Sequence, residues 1–144
     1  MALAQRLGFV SKDHSKLYPY AKDQKFCGSC WSFSTIATLE GFALLKGLNL
    51  RLSEQQLIDC NVKNHGCDGG NYEYSFQYVS DPKNGGIILE ADYPTIPYAK
   101  EKEKKRVCKS KWNKPALKVN GYVSCFGSEC KESVLEQMLS NGPY

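Results

Sequence analysis

Seven cysteines in a chain of 144 residues limit what it can fold into more sharply than any other feature. Two of them stand three apart in DQKFCGSCWSFS, residues 23–34, with Gly28 and Ser29 between them and Trp31 directly after. The pair Cys27 and Cys30 admits three readings: ligands of a metal, a redox couple, or one bridged cysteine beside one nucleophile.

Composition narrows the class. A hydrophobic fraction of 42% with 12% aromatics is enough for a packed core in one domain or one lobe of something larger. The net charge of +4 is too mild to imply nucleic acid. Much of the basic charge sits in KEKEKKR, residues 100–106, where mixed signs fit a solvated loop. The first sixteen residues, MALAQRLGFVSKDHSK, contain no apolar run fit for a signal peptide or a membrane span. The cysteine density nevertheless points to an oxidising compartment.

Helical signals dominate the first two thirds. Trp31, Ile36, Leu39, Phe42, Ala43 and Leu45 fall near helical spacing over 30–46, on a face so broad that the helix is expected to be largely buried. Gly47 stops it. Ser53 and Gln56 form a capping box opening a short helix through Leu57 and Ile58 to Cys60. NVKNHGCDGG, 61–70, reads as loop, and a third helix follows over 72–79. Residues 80–115 look irregular, with four of the six prolines. LKVNGYV, 117–123, alternates like a strand, with Leu117, Val119 and Val123 on one face. A last helix is expected over 129–139, with Ser128 as its N-cap. No internal repeat is visible.

The three readings of the cysteine pair can now be weighed. Zinc wants four ligands in two close pairs, whereas Cys60 and Cys67 are seven apart and neither His14 nor His65 stands at ligand spacing. A redox couple wants an apolar strand before it, and YPYAKDQKF is not one. The third reading fits the local chemistry. Cys30 opens a helix, whose N-terminus favours a thiolate. Its own backbone N–H has no partner within the helix and can serve an oxyanion hole. Gln24, six residues back, can supply a second donor.

CGSCW at 27–31 resembles the signature around the nucleophile of papain-like cysteine peptidases. LSEQQLIDC (52–60), GCDGG (66–70), YPTIPY followed by Cys108, and NGPY (141–144) resemble further segments of that family, in order, over about residues 19–144. The resemblance implies an α+β papain-like fold. This chain would hold mainly its helical left-hand lobe (19–115), with a central helix carrying the cysteine. A first strand and a helix, 116–144, would lead toward an incomplete β-rich lobe, and residues 1–18 match only weakly. Cys30 is implied as nucleophile and Gln24 as oxyanion donor. Gly28, Ser29, Trp31, Gly69, Gly70, Asn71 and Tyr72 are implied as substrate contacts. Bridges Cys27–Cys67 and Cys60–Cys108 are implied too; Cys125 and Cys130 lie outside the family pattern and either close a small third loop or stay as two free thiols. Neither cofactor nor metal is implied. The substrates would be proteins or peptides, and the location lysosomal, vacuolar or secreted.

A thiol nucleophile needs a base. In such enzymes a His and an orienting Asn follow about 130–150 residues after the Cys, which places them past Tyr144. His65 reads as a surface-loop residue and His14 lies outside the matched motifs. A second chain or a C-terminal segment is therefore expected to carry His and Asn. The alternative is a non-catalytic homologue acting as a binding or structural subunit.

Overall fold

The computed structural model describes residues 13–18, 20–97, 107–109 and 115–141. Within them the chain forms four α-helices: α1 (Cys30–Leu45), α2 (Glu54–Cys60), α3 (Tyr72–Ser80) and α4 (Glu132–Asn141). Helix α1 is the centre, and α2 and α3 pack against it. Trp31, Ile36 and Leu39 of α1 meet Leu57 and Ile58 of α2, Val79 of α3 and the loop residues Leu52 and Ile87 in one core. A satellite core joins Cys60, Ile88 and Tyr93. Three disulfides close the chain, Cys27–Cys67, Cys60–Cys108 and Cys125–Cys130, and Cys30 is the free cysteine.

Local signals and structure agree where the partners are close in sequence. Gly47 takes φ +79 just past α1, a backbone region that glycine enters without steric cost. Ser53 caps α2, its hydroxyl accepting from the Gln56 N–H at 3.0 Å. The reciprocal half of the capping box is not made. Gln56 spends its side chain on a distant loop, donating to the Gly86 carbonyl at 3.1 Å and accepting from Ile88 N at 2.9 Å, while Ser53 N donates to the Ile88 carbonyl.

Two expectations are corrected. Residues 117–123 form no strand. Leu117 makes one antiparallel bridge with Ile87, and Val123 is exposed, because no partner strand lies beside it among the described residues. The last helix begins at Glu132, since the Cys125–Cys130 bridge closes on a 3₁₀ turn over Gly127–Glu129 that takes in Ser128. As expected, α1 is largely covered, and only Cys30, Ser34 and Leu45 of its residues are exposed. Phe42 is half-buried. Phe42 lines a groove of about 940 Å³ between α1 and residues 117–126, floored by Leu39, Phe76, Leu117 and Val119.

Candidate active site

The segment before α1 is folded back on itself. Cys27 N donates to the Gln24 carbonyl at 3.3 Å, closing a turn with Lys25 at φ 54. Asp23 steadies that conformation by accepting from Lys25 N at 2.7 Å and pairing with its ammonium at 2.6 Å. The chain then passes Gly28, where close approach decides the residue: a Cβ there would lie 2.5 Å from the Cys67 carbonyl oxygen. Gly28 N instead donates to that carbonyl at 2.8 Å, beside the Cys27–Cys67 bridge.

At the first residue of α1 the thiol of Cys30 is exposed. The Ser29 carbonyl accepts from both Ser32 N and Phe33 N, so the first helical N–H groups lie upstream of any intrahelical partner. The Cys30 N–H donates to nothing among the described residues. Gln24 Nε2 donates to the Cys27 carbonyl at 2.9 Å, which places its amide at the mouth of the same turn and leaves its second N–H position available.

The second wall is the loop 61–71. Trp31 Nε1 donates to the Gly66 carbonyl at 3.1 Å, and the indole is buried. Asn64, also buried, accepts from Asn71 N at 2.7 Å and donates to the Asn71 carbonyl at 3.1 Å. Gly70 has no room for a side chain between Asn64 and the Trp31 ring, and Gly69 takes φ +110. The glycines therefore run as bare backbone beside the entry to α1. Asn71 caps α3 by accepting from Glu73 N, and Tyr72 is half-exposed.

Among the residues marked from sequence as substrate contacts, two have side chains turned inward. Ser29 and Trp31 are buried and do not line a surface; the Trp31 indole braces the loop through its bond to the Gly66 carbonyl. Asn64 was missed: a loop Asn carries no pattern that announces two backbone hydrogen bonds seven residues away. Neither His is hydrogen-bonded to Cys30. His65 is exposed at the start of the Gly66–Asp68 turn, and His14 Nε2 lies 3.3 Å from the Leu139 carbonyl.

A partly buried ionic cluster ties Lys22 to Glu40 of α1 and Glu54 of α2. Lys22 Nζ pairs with Glu40 at 2.8 Å and with Glu54 at 2.5 Å, and Glu40 also accepts from Leu52 N. Burial pushes the Glu54 carboxyl above its ordinary value, against the pull of Lys22. Burial alone would lower the Lys22 ammonium, but its hydrogen bonds to Glu40 and Glu54 outweigh that and raise it.

The profile described as papain family cysteine protease matches residues 10–144, reaching further toward the N-terminus than the motifs do. The chain belongs to the papain family of cysteine proteases. Chymomexicain from Jacaratia mexicana is 45% identical over 123 residues, covering 85% of this chain and 53% of that protein. Cysteine endopeptidase RepA from Oryza sativa subsp. japonica is 40% identical over 124 residues, covering 85% of this chain and 30% of that protein. Among solved structures, the proform of the ragweed pollen cysteine protease Amb a 11 matches with a TM-score of 0.59 at 42% identity, over 70% of this chain and 29% of that one. The Carica candamarcensis protease CMS1MS2, solved in complex with E-64, matches with a TM-score of 0.59 at 35% identity, over 74% and 47%. The chain thus spans about half the length of Chymomexicain and less of RepA.

Proposed function

We propose that this chain is the nucleophile-bearing part of a cysteine-type peptidase that cleaves peptide bonds in proteins. The observation that carries the reading is Cys30: an exposed free thiol at the first position of a sixteen-residue helix, with its own N–H unused. In this reading the thiolate attacks the scissile carbonyl, and the Cys30 N–H and the Gln24 amide receive the oxyanion. Gly28, Gly69 and Gly70 present backbone to an extended substrate, and Asn71 and Tyr72 border it. Trp31 holds the glycine loop in place.

Residues 19–115 serve as the helical lobe and 116–144 as the start of a second, β-rich lobe. That lobe, in a continuing segment or a second chain, supplies the His that takes the thiol proton and the Asn that orients it. The groove supports this, because it opens an apolar surface between α1 and residues 117–126. Three disulfides suit an oxidising site, vacuolar, lysosomal or secreted. No cofactor is part of the proposal.

The test is hydrolysis of a fluorogenic peptide by the chain alone and by the chain supplied with a second half. General acid–base catalysis is worth about 10²–10⁴-fold, so activity is expected only from the completed protein and is lost in Cys30→Ala. Hydrolysis at ordinary protease rates by the chain alone, or activity that survives Cys30→Ala, overturns the reading.

A further inference from the structure

Two Asn-Gly pairs lie wholly within the described residues, and the fold treats them in opposite ways. Asn84 is partly buried; its Nδ2 donates to the Tyr78 carbonyl at 3.0 Å and its N to the Asp81 carbonyl at 3.0 Å. Those bonds fix the carboxamide against the end of α3. Asn120 and Gly121 are both exposed and belong to no regular element. Neither the Asn120 carboxamide nor the Gly121 N–H makes a hydrogen bond among the described residues. A Cβ would meet nothing within 4 Å at Gly121 or at Gly85, so the two pairs differ in the burial and hydrogen bonding of the asparagine.

We propose that Asn120–Gly121 is a self-modifying site, at which Asn120 is converted to aspartate or isoaspartate without an enzyme. The Gly121 nitrogen loses its proton and attacks Asn120 Cγ. A carbon–nitrogen bond forms, the Cγ–Nδ2 bond breaks, and ammonia leaves with the proton. Water then opens the cyclic imide at either carbonyl, and nothing is oxidised or reduced. Glycine lets the two atoms meet because it has no side chain to shield its nitrogen and a wide choice of backbone angles. Hydrogen bonds that pin Asn84 oppose the same approach there.

Asn120 and Gly121 border the apolar groove beside α1. Conversion therefore puts a carboxylate on a surface lined by Phe42, Phe76 and Val119, where covering it costs desolvation. This consequence rests on the groove being the seat of the second half. The modification would then act as a clock that closes the chain to assembly.

The experiment is a time course of the chain in mildly alkaline buffer, folded and denatured in parallel, read by peptide mass mapping. In the folded chain, residue 120 is expected to convert several-fold faster than residue 84, with the gap closing on denaturation. Gly121→Ala should slow conversion at 120 and leave 84 as it was. Equal rates at the two sites in the folded chain, or an intact Asn120 there while the denatured sample converts, overturn the proposal. For the consequence, Asn120→Asp should take up the second half several-fold more weakly than the unaltered chain, and Asn120→Gln should match it. If the unaltered chain fails to bind a second half, the peptidase reading fails and the modification site stands; if Asn120→Asp binds as well as the unaltered chain, the clock is refuted.

Discussion

Residues 52–60 and residues 115–141 show the two extremes of this molecule. Every residue from Leu52 to Cys60 is buried, including Glu54, Gln55, Gln56 and Asp59. In 115–141 no described side chain is buried, although α4 carries the amphipathic run Val134, Leu135, Met138 and Leu139. The first region turns polar side chains inward and satisfies them. Gln55 bonds Asp59 and Ile96 N, Gln56 bonds the strip around Ile88, and Tyr93 donates to Asp59 at 2.6 Å. Burial also raises the Tyr93 hydroxyl, helped by its bond to Asp59. In the second region Ala116, Leu117 and Val119 lean against the core, whereas Leu135 and Leu139 of α4 stay exposed. Burial follows from having partners in the chain, and hydrophobicity alone does not secure it.

The largest difference between the regions is expected at the disulfides. Cys27–Cys67 and Cys60–Cys108 close loops of separation 40 and 48, whereas Cys125–Cys130 closes one of 5. Loop entropy assigns about 4 kcal/mol to each long bridge and about 2 kcal/mol to the short one. Replacing either long pair by Ala should lower the thermal midpoint markedly; the Cys125/Cys130 double variant should move it much less. Equal losses would show that the two regions are equally braced.

Next comes the ionic cluster around Lys22. Lys22→Ala leaves Glu54 without its cation and is expected to cost about 3 kcal/mol by chemical denaturation. The pH dependence separates the two partners. Glu54 titrates above its ordinary 4.5 when folded, so the folded chain holds a proton that the unfolded chain has released. Its contribution is therefore most favourable below 4.5 and is lost as pH rises through the folded value. Glu54→Gln should remove that slope. The raised Lys22 contributes stability that is present below 10.5 and lost only above it.

A smaller effect sharpens the joint between the regions. Ile87 N donates to the Leu117 carbonyl at 2.9 Å and Ala116 N to the Ile87 carbonyl at 2.8 Å, next to Gly86 at φ +99. Gly86→Ala forces a Cβ onto the Leu117 carbonyl and should cost about 1–2 kcal/mol. Proteolysis after residue 115 should quicken before that in α1. Smallest of all, Ser29→Ala should shift stability by no more than about 0.5 kcal/mol. Its hydroxyl is buried without a hydrogen-bond partner, so nothing is lost with it. A large loss would reveal a partner for it.

Legibility follows the same divide. The ends of α1, the Ser53 cap and the loop 61–70 could be read from residues a few positions apart, because caps and glycine stops are local. Half of the capping box was misread because Gln56 answers to Gly86 and Ile88, some thirty residues on. The strand over 117–123 was misread because alternation specifies a face, and a strand also needs a neighbouring edge. The start of α4 moved from 129 to Glu132 because a bridge from Cys125 to Cys130 outweighs a good N-cap at Ser128. At the site, Cys30, Gln24 and the glycines stood out by spacing. Asn64, which shapes the glycine run, did not.

Amide hydrogen exchange on the chain alone, and again with a second half added, tests most directly whether one half of a fold is finished and the other is waiting. Slow exchange is expected in α1, α2 and α3 in both samples. Residues 117–126 and α4 should exchange fast in the chain alone and slow markedly once the second half is present. Protection of 117–126 and α4 equal to that of α1 in the chain alone would contradict the account.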